Sequence, residues 1–257
     1  MANILLTSVG GTMMPILIKY LKKDVNFKNL KIFGVDKRKI KKNKYIDKAY
    51  KISSVNQNIF IKKIFKIINE NKISLVIPFS DEEAKIFSKF KEHFKKKKIK
   101  IMVNDYKTIN LISNKFRTYK ILEKNNLKMP LFFLSKNLNV LKKHVRMFIK
   151  QKREFVIKPL ESRGGRGIII CSVFDSKRVR KNAKRIKFFN FTNFRFDKAI
   201  FKFGPVIIME KLYPPAYDVD CLVIKNKIYS VFRKRINQYG IPYLGNKFVN
   251  TKKNFNI

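Results

Sequence analysis

The run Phe155-Val-Ile-Lys-Pro-Leu-Glu-Ser-Arg-Gly-Gly-Arg-Gly-Ile-Ile-Ile170 decides how the rest of the chain is read. Two β-prone stretches flank a turn holding Ser162, Gly164, Gly165 and Gly167, with Lys158 just before it and Arg163 and Arg166 inside it. Glycines let a backbone approach a ligand closely and turn its N–H groups toward one point. Cationic side chains in such a turn suit it to phosphate oxygens.

Upstream, Asn3–Ser8 reads as a strand, Val9-Gly10-Gly11-Thr12 as a tight turn, Met14–Lys23 as an amphipathic helix and Leu30–Val35 as a strand ending at Asp36. Strand, glycine turn, helix and acid-terminated strand make a Rossmann-like half. The glycines fall short of the full dinucleotide fingerprint, so close helix–strand packing explains the turn equally well. A helix over Ile59–Asn71, a strand over Ser74–Pro78 and a helix opening at Ser80-Asp81-Glu82-Glu83 follow. Ser80 or Asp81 can cap that last helix, and acids in its first turn suit the dipole. A strand over Lys100–Val103 and a helix over Tyr106–Asn126 complete an alternation that predicts a parallel sheet covered on both faces.

Past Pro130 the pattern predicts a helix over Leu138–Gln151, the Lys158 hairpin, and a basic helix near Ser176–Ile186. In Lys187–Phe203 the phenylalanines read as core rather than as platforms for bases. Strands follow over Val206–Lys211, Tyr217–Ile224 and Lys227–Arg235, with Asn226 in a hairpin turn.

The net charge of +43 over 257 residues invites a nucleic-acid reading. The cations are spread evenly, and lysine outnumbers arginine 48 to 12, whereas base readout leans on arginine forks. Nucleic acid is therefore expected to bind only nonspecifically, and the composition reads as the drift of an AT-rich genome. No stretch approaches the roughly 20 apolar residues of a membrane helix, and residues 1–20 lack the pattern of a signal peptide. Cys171 and Cys221 read as core thiols of a reducing cytoplasm, and His93 and His144 as solvated helix residues.

Taken in order, these motifs resemble the ATP-grasp superfamily, in particular its carbamoyl-phosphate-synthase-like branch. The opening Ile4-Leu-Leu-Thr-Ser-Val-Gly-Gly11, Gly34-Val-Asp36 and Val76-Ile-Pro-Phe-Ser-Asp-Glu-Glu83 resemble its pre-ATP-grasp domain. Ser113-Asn-Lys-Phe-Arg-Thr118, Lys158-Pro159 through Gly167, Ile207-Ile-Met-Glu-Lys-Leu212 and Tyr217-Asp-Val-Asp220 resemble the ATP-grasp domain that follows. The implied fold is α/β: a Rossmann-like parallel-sheet domain over 1–105, then a partial ATP-grasp α+β domain over 106–257.

The resemblance also implies roles. Lys115 or Arg117 and Lys158 would neutralise nucleotide phosphates, a task suited to charges on flexible stems. Ser162, Arg163, Gly164, Gly165, Arg166 and Gly167 would close over the β- and γ-phosphates. Glu210 would take the adenine amino group through its side chain or a neighbouring carbonyl, with backbone contacts from Lys211 and Leu212. Arg233 and Arg235 are the candidates for stabilising the transferred phosphoryl group. Many relatives hold the ribose with an acid where this chain has Ala216; Asp218 is the candidate replacement. After Asp220 there is no Asp or Glu, so the magnesium ligands are expected in a missing carboxyl-terminal part of about 60 to 100 residues. The implied activity is an ATP-dependent carboxylate–amine ligation through an acyl phosphate, with ATP and Mg2+ as cofactors. Protein partners would be a second copy or a complementary carboxyl-terminal chain. The alternatives are an ATP-binding but catalytically silent module and, further off, a nonspecific nucleic-acid binder.

Overall fold

The computed structural model describes residues 3–27, 29–40, 43–53, 56–162, 164–172, 186–191, 194–224, 227–236 and 246–249. The chain divides into two compact units, Met1–Ser113 and Asn114–Ile257.

The first unit alternates β1 (Asn3–Thr7), α1 (Met14–Lys23), β2 (Lys31–Asp36), β3 (Lys48–Lys51), α2 (Gln57–Glu70), β4 (Leu75–Ile77), α3 (Asp81–Lys89), α4 (Lys91–Lys96), β5 (Lys100–Ile101) and α5 (Tyr106–Ile112). Its five strands pair in parallel in the order β3-β2-β1-β4-β5. The centre of β1, Ile4 to Leu6, is continuously apolar because successive side chains enter opposite cores. Leu5 joins Val35, Phe60, Ile64, Val76 and Phe87 on one face, while Ile4 and Leu6 join Met14, Ile18 and Ile32 on the other. Burying a side chain such as Phe60 or Phe87 contributes about 1.5–3 kcal/mol. Ser80 is the cap of α3, its hydroxyl accepting from Glu83 N at 3.2 Å.

The glycine turn after β1 closes on the acid at the end of β2. Gly10 N donates to Asp36 Oδ2 at 2.9 Å, and a Cβ on Gly10 would sit 2.8 Å from that oxygen. Arg38 N donates to Asp36 Oδ1 at 2.8 Å, and the Arg38 guanidinium reaches Gly10 O at 3.1 Å. Both carboxylate oxygens are taken from within the fold, which favours packing over dinucleotide binding for this turn.

The second unit contains α6 (Lys115–Lys124), β6 (Phe132–Ser135), α7 (Leu138–Lys150), β7 (Phe155–Pro159), β8 (Ile168–Ser172), β9 (Ile186–Asn190) and β10 (Val206–Glu210). These strands form a mixed sheet in the order β6-β10-β7-β8-β9, antiparallel except for the β8–β9 pair. Leu141, Val145 and Phe148 of α7, at helical spacing, cover Phe155, Ile157 and Val206. Phe116 and Tyr119 of α6 pack against Val156, Ile207 and Met209 on the opposite face. A separate antiparallel sheet joins β11 (Tyr217–Ile224), β12 (Lys227–Arg235) and β13 (Asn246–Phe248).

Several expectations change. The helix foreseen over Tyr106–Asn126 is two helices, α5 and α6. Asn114 accepts from Arg117 N at 3.1 Å, and this capping bond starts a new helix where one would have continued. β3 and β6 carry no periodic signal in so few residues. Ile186 begins a strand, while 176–185 of the foreseen basic helix and Asn226 lie outside the described residues. Phe189, Phe191, Phe194 and Phe201 belong to the α7 core, as core and not as base platforms. Cys171 is buried but Cys221 is exposed, because β11 is paired along its edge and not covered on its faces. His144 is half-buried, stacked on Phe133 with ring centroids 4.7 Å apart. No described helix is long and apolar enough to cross a membrane.

Candidate functional site

β7 delivers Lys158 to the mouth of the 160–167 turn. The strand is apolar except at this residue, which shares a sheet face with Val156. The first turn of α6 holds the root of the turn. Lys115 N donates to Leu160 O at 3.1 Å, and Lys115 Nζ donates to Ser162 O at 2.9 Å and to Leu160 O at 3.3 Å. Leu160 N donates in turn to Pro205 O at 3.3 Å. Gly164, Gly165 and Gly167 have φ of 61°, 75° and 71°, left-handed values that glycine adopts without a steric cost. Burial, and then the charge on Lys115, hold the Lys158 ammonium below its ordinary pKa. Two cations beside one glycine turn, one of them short of solvent, favour an anion. Ser162 sits in the same turn, while the side chains of Arg117 and Arg166 are exposed and Arg163 lies outside the described residues.

Glu210, Lys211 and Leu212 lie at the opposite end of the same strands. The register places Ile207 beside Lys158 and Glu210 beside Phe155. Three residue steps along a strand span about 10 Å. Glu210 Oε2 accepts from Leu131 N at 3.4 Å and lies 3.8 Å from Arg153. It borders a cavity of about 640 Å³ lined in part by Phe116, Met129, Leu131 and Phe132. Lys211 is ion-paired with Glu154 at 2.6 Å and not with Glu210. Glu154, Ser172 and Tyr213 escape a reading of the sequence; the one hint is an acid at the head of a strand in a chain with 17 acids against 60 cations.

Asp218, Arg233 and Arg235 occupy one face of the β11–β13 sheet. Arg235 donates to both Asp218 oxygens, at 2.8 and 2.5 Å, and Asn246 Nδ2 donates to Oδ2 at 3.3 Å. Arg233 pairs with Asp220 at 2.7 Å, and its buried Nε has no partner among the described residues. The Arg235 hydrogen bond is the main influence holding the Asp218 carboxyl below its usual 3.8. A depressed carboxyl contributes stability above its unfolded pKa, and that contribution is lost as pH falls through the folded value. Asp218→Asn should therefore lower the thermal stability of the β11–β12 pair at pH 7 and flatten its decline below about pH 4. Unfolding followed at several pH values checks this; an unchanged acid limb would contradict it.

No group of three or more His, Cys, Asp or Glu able to hold a metal occurs among the described residues. The two carboxylates of β11 are committed to arginines, so the residues described do not form a magnesium site.

A family model described as the PylC-like N-terminal domain matches residues 4–102, and one described as sugar-transfer associated ATP-grasp matches residues 94–193. No curated protein matches the sequence. Among solved structures, the L-amino acid ligase from Bacillus licheniformis is similar over 96% of this chain and 53% of its own, with 14% identity and a TM-score of 0.65. The N5-carboxyaminoimidazole synthetase from Staphylococcus aureus, complexed with ADP, is similar over 98% of this chain and 60% of its own, with 12% identity and a TM-score of 0.60. The biotin carboxylase domain of 2-oxoglutarate carboxylase from Hydrogenobacter thermophilus, complexed with MgADP, ADP and bicarbonate, is similar over 92% of this chain and 51% of its own, with 17% identity and a TM-score of 0.56. The chain thus spans between half and three-fifths of the length of these structures.

Proposed function

We propose that this chain is a member of the ATP-grasp superfamily, as the two family models over 4–102 and 94–193 support, and that its second unit binds ATP, with the triphosphate under the 160–167 turn and the adenine at residues 210–212. The observation that supports this most is the pairing of Lys115 and Lys158 beside three left-handed glycines. The roughly 10 Å along the strands between Lys158 and Glu210 suits the distance from a purine to its first phosphates.

The reaction on this reading is a carboxylate–amine ligation of carbamoyl-phosphate-synthase type. A carboxylate or bicarbonate oxygen attacks the γ-phosphorus, the bond to the ADP oxygen breaks, and an acyl phosphate forms. An amine nitrogen then attacks the acyl carbon, releasing phosphate and a proton. Phosphoryl transfer asks mainly for alignment and charge neutralisation. Lys158 and the loop N–H groups meet the phosphate charge, while Lys115 braces the loop. Arg233 and Arg235 are the candidates for steadying the transferred group, once freed from Asp220 and Asp218. The described residues form no magnesium ligand set, so no step here passes through the metal. A cytoplasmic setting with small-molecule carboxylate and amine substrates completes this reading.

A second reading, an ATP-binding module that turns over only with a partner chain, is favoured by the arginine-bound carboxylates of β11. Calorimetric titration of the full chain with ATP, beside an assay for ADP release, tests both. ATP binding with turnover supports the ligase, and binding without turnover supports the module. Salt-sensitive DNA binding with no ATP binding would overturn both.

A further inference from the structure

Glu154 precedes β7 and is 8% exposed. Its carboxylate gathers the Lys211 ammonium at 2.6 Å, the Tyr213 hydroxyl at 2.9 Å and the Ser172 hydroxyl. Its backbone carbonyl accepts from Lys211 N at 3.0 Å, and Lys211 Nζ also reaches Ser172 Oγ at 3.3 Å. Burial, and after it the charge on Glu154, push the nearby Cys171 thiol up to about 12, as expected beside an ionised carboxylate.

The contacts fall on both sides of Leu212, whose own side chain is 64% exposed. A backbone carbonyl and N–H can tell purines apart only if the segment presents them at a fixed angle. A 6-aminopurine offers a donor and then an acceptor, and a 6-oxopurine offers the reverse. Rejection of the wrong order is strong only where the reading groups cannot turn to suit it. Residues 211–213 leave the sheet here, and the bonds to Glu154 supply the rigidity that strand pairing no longer gives.

We infer that Glu154 is a positioning residue that fixes the purine-reading backbone of Lys211 and Leu212, and so sets selectivity for a 6-aminopurine over a 6-oxopurine nucleotide. This rests on the nucleotide reading above and concerns a residue that acts through its bonds to Lys211 and Tyr213. Removing one partner of a buried ion pair leaves the other charge unpaired, so stability is followed beside binding in the test.

The test is calorimetric titration of the full chain with the magnesium salts of ATP and GTP and with inorganic tripolyphosphate, for wild type and Glu154→Gln, with thermal unfolding as the check on folding. Glu154→Gln should weaken ATP binding about tenfold, leave tripolyphosphate unchanged and bring the ATP-to-GTP ratio toward one. Tyr213→Phe removes one exposed donor and keeps the ion pair, so it decides the matter if Glu154→Gln fails to fold. It should weaken ATP about twofold to fivefold with tripolyphosphate again unchanged. A folded Glu154→Gln with the wild-type ratio overturns the role of Glu154, as does an equal loss of ATP and tripolyphosphate. A wild-type chain that binds none of the three overturns the nucleotide reading itself.

Discussion

Lys158→Met is expected to reduce ATP affinity about 100-fold while leaving the fold at least as stable as wild type. The methionine keeps an unbranched apolar stem one atom shorter than lysine's, so packing against the α6 face of the sheet survives. What disappears is a half-buried ammonium whose pKa is lowered by burial and by Lys115. In the folded chain that charge is a cost, because a base with a depressed pKa makes stability rise as pH climbs toward its unfolded value. An anion offsets the cost, which is why the same group should matter so much to binding. Calorimetry with ATP and a thermal melt of the free variant give the two readouts. Unchanged affinity would remove Lys158 from the phosphate site, and a large drop in melting temperature would recast it as structural.

Gly167→Ala should be the most damaging of the small substitutions, costing about 2–4 kcal/mol of stability through backbone strain and overpacking together. Its φ is +71°, and a Cβ would meet Pro159 Cγ at 2.8 Å and Phe203 Cδ2 at 3.1 Å. Pro159 ends β7, so the turn cannot relax without shifting the strand that carries Lys158. Gly204 provides the control. Its φ is +85° but nothing lies within 4 Å of a Cβ there, so alanine should cost only the strain, about 1–2 kcal/mol. Denaturant midpoints of the two variants separate the terms; equal losses would show that the contact with Pro159 yields freely.

The proposed phosphate end of the site is legible in the sequence because its parts are neighbours in the chain. Lys158, the glycines and the flanking strands lie within a few residues, and their spacing alone describes a hairpin with a cationic turn. The β1–α1–β2 start is legible for the same reason. The Glu154 cluster is not, since its partners Ser172, Lys211 and Tyr213 lie 18, 57 and 59 residues away and meet only once the sheet forms. Short edge strands such as β3 and β6 hide because four residues carry no measurable period. Arginine roles were the hardest to foresee. Sequence order brings Arg233 and Arg235 near a reacting phosphoryl group by analogy, whereas pairing across β11 and β12 ties each to an aspartate.

The contrast between the two cysteines gives the chain a built-in attachment point. A thiol-reactive dye has one sulfur to reach without opening the protein, Cys221 in the middle of β11, while Cys171 is shielded inside the α7 core and hard to deprotonate. A fluorophore added to the native sequence would therefore sit on the three-stranded sheet, with no substitution needed in the 160–167 turn.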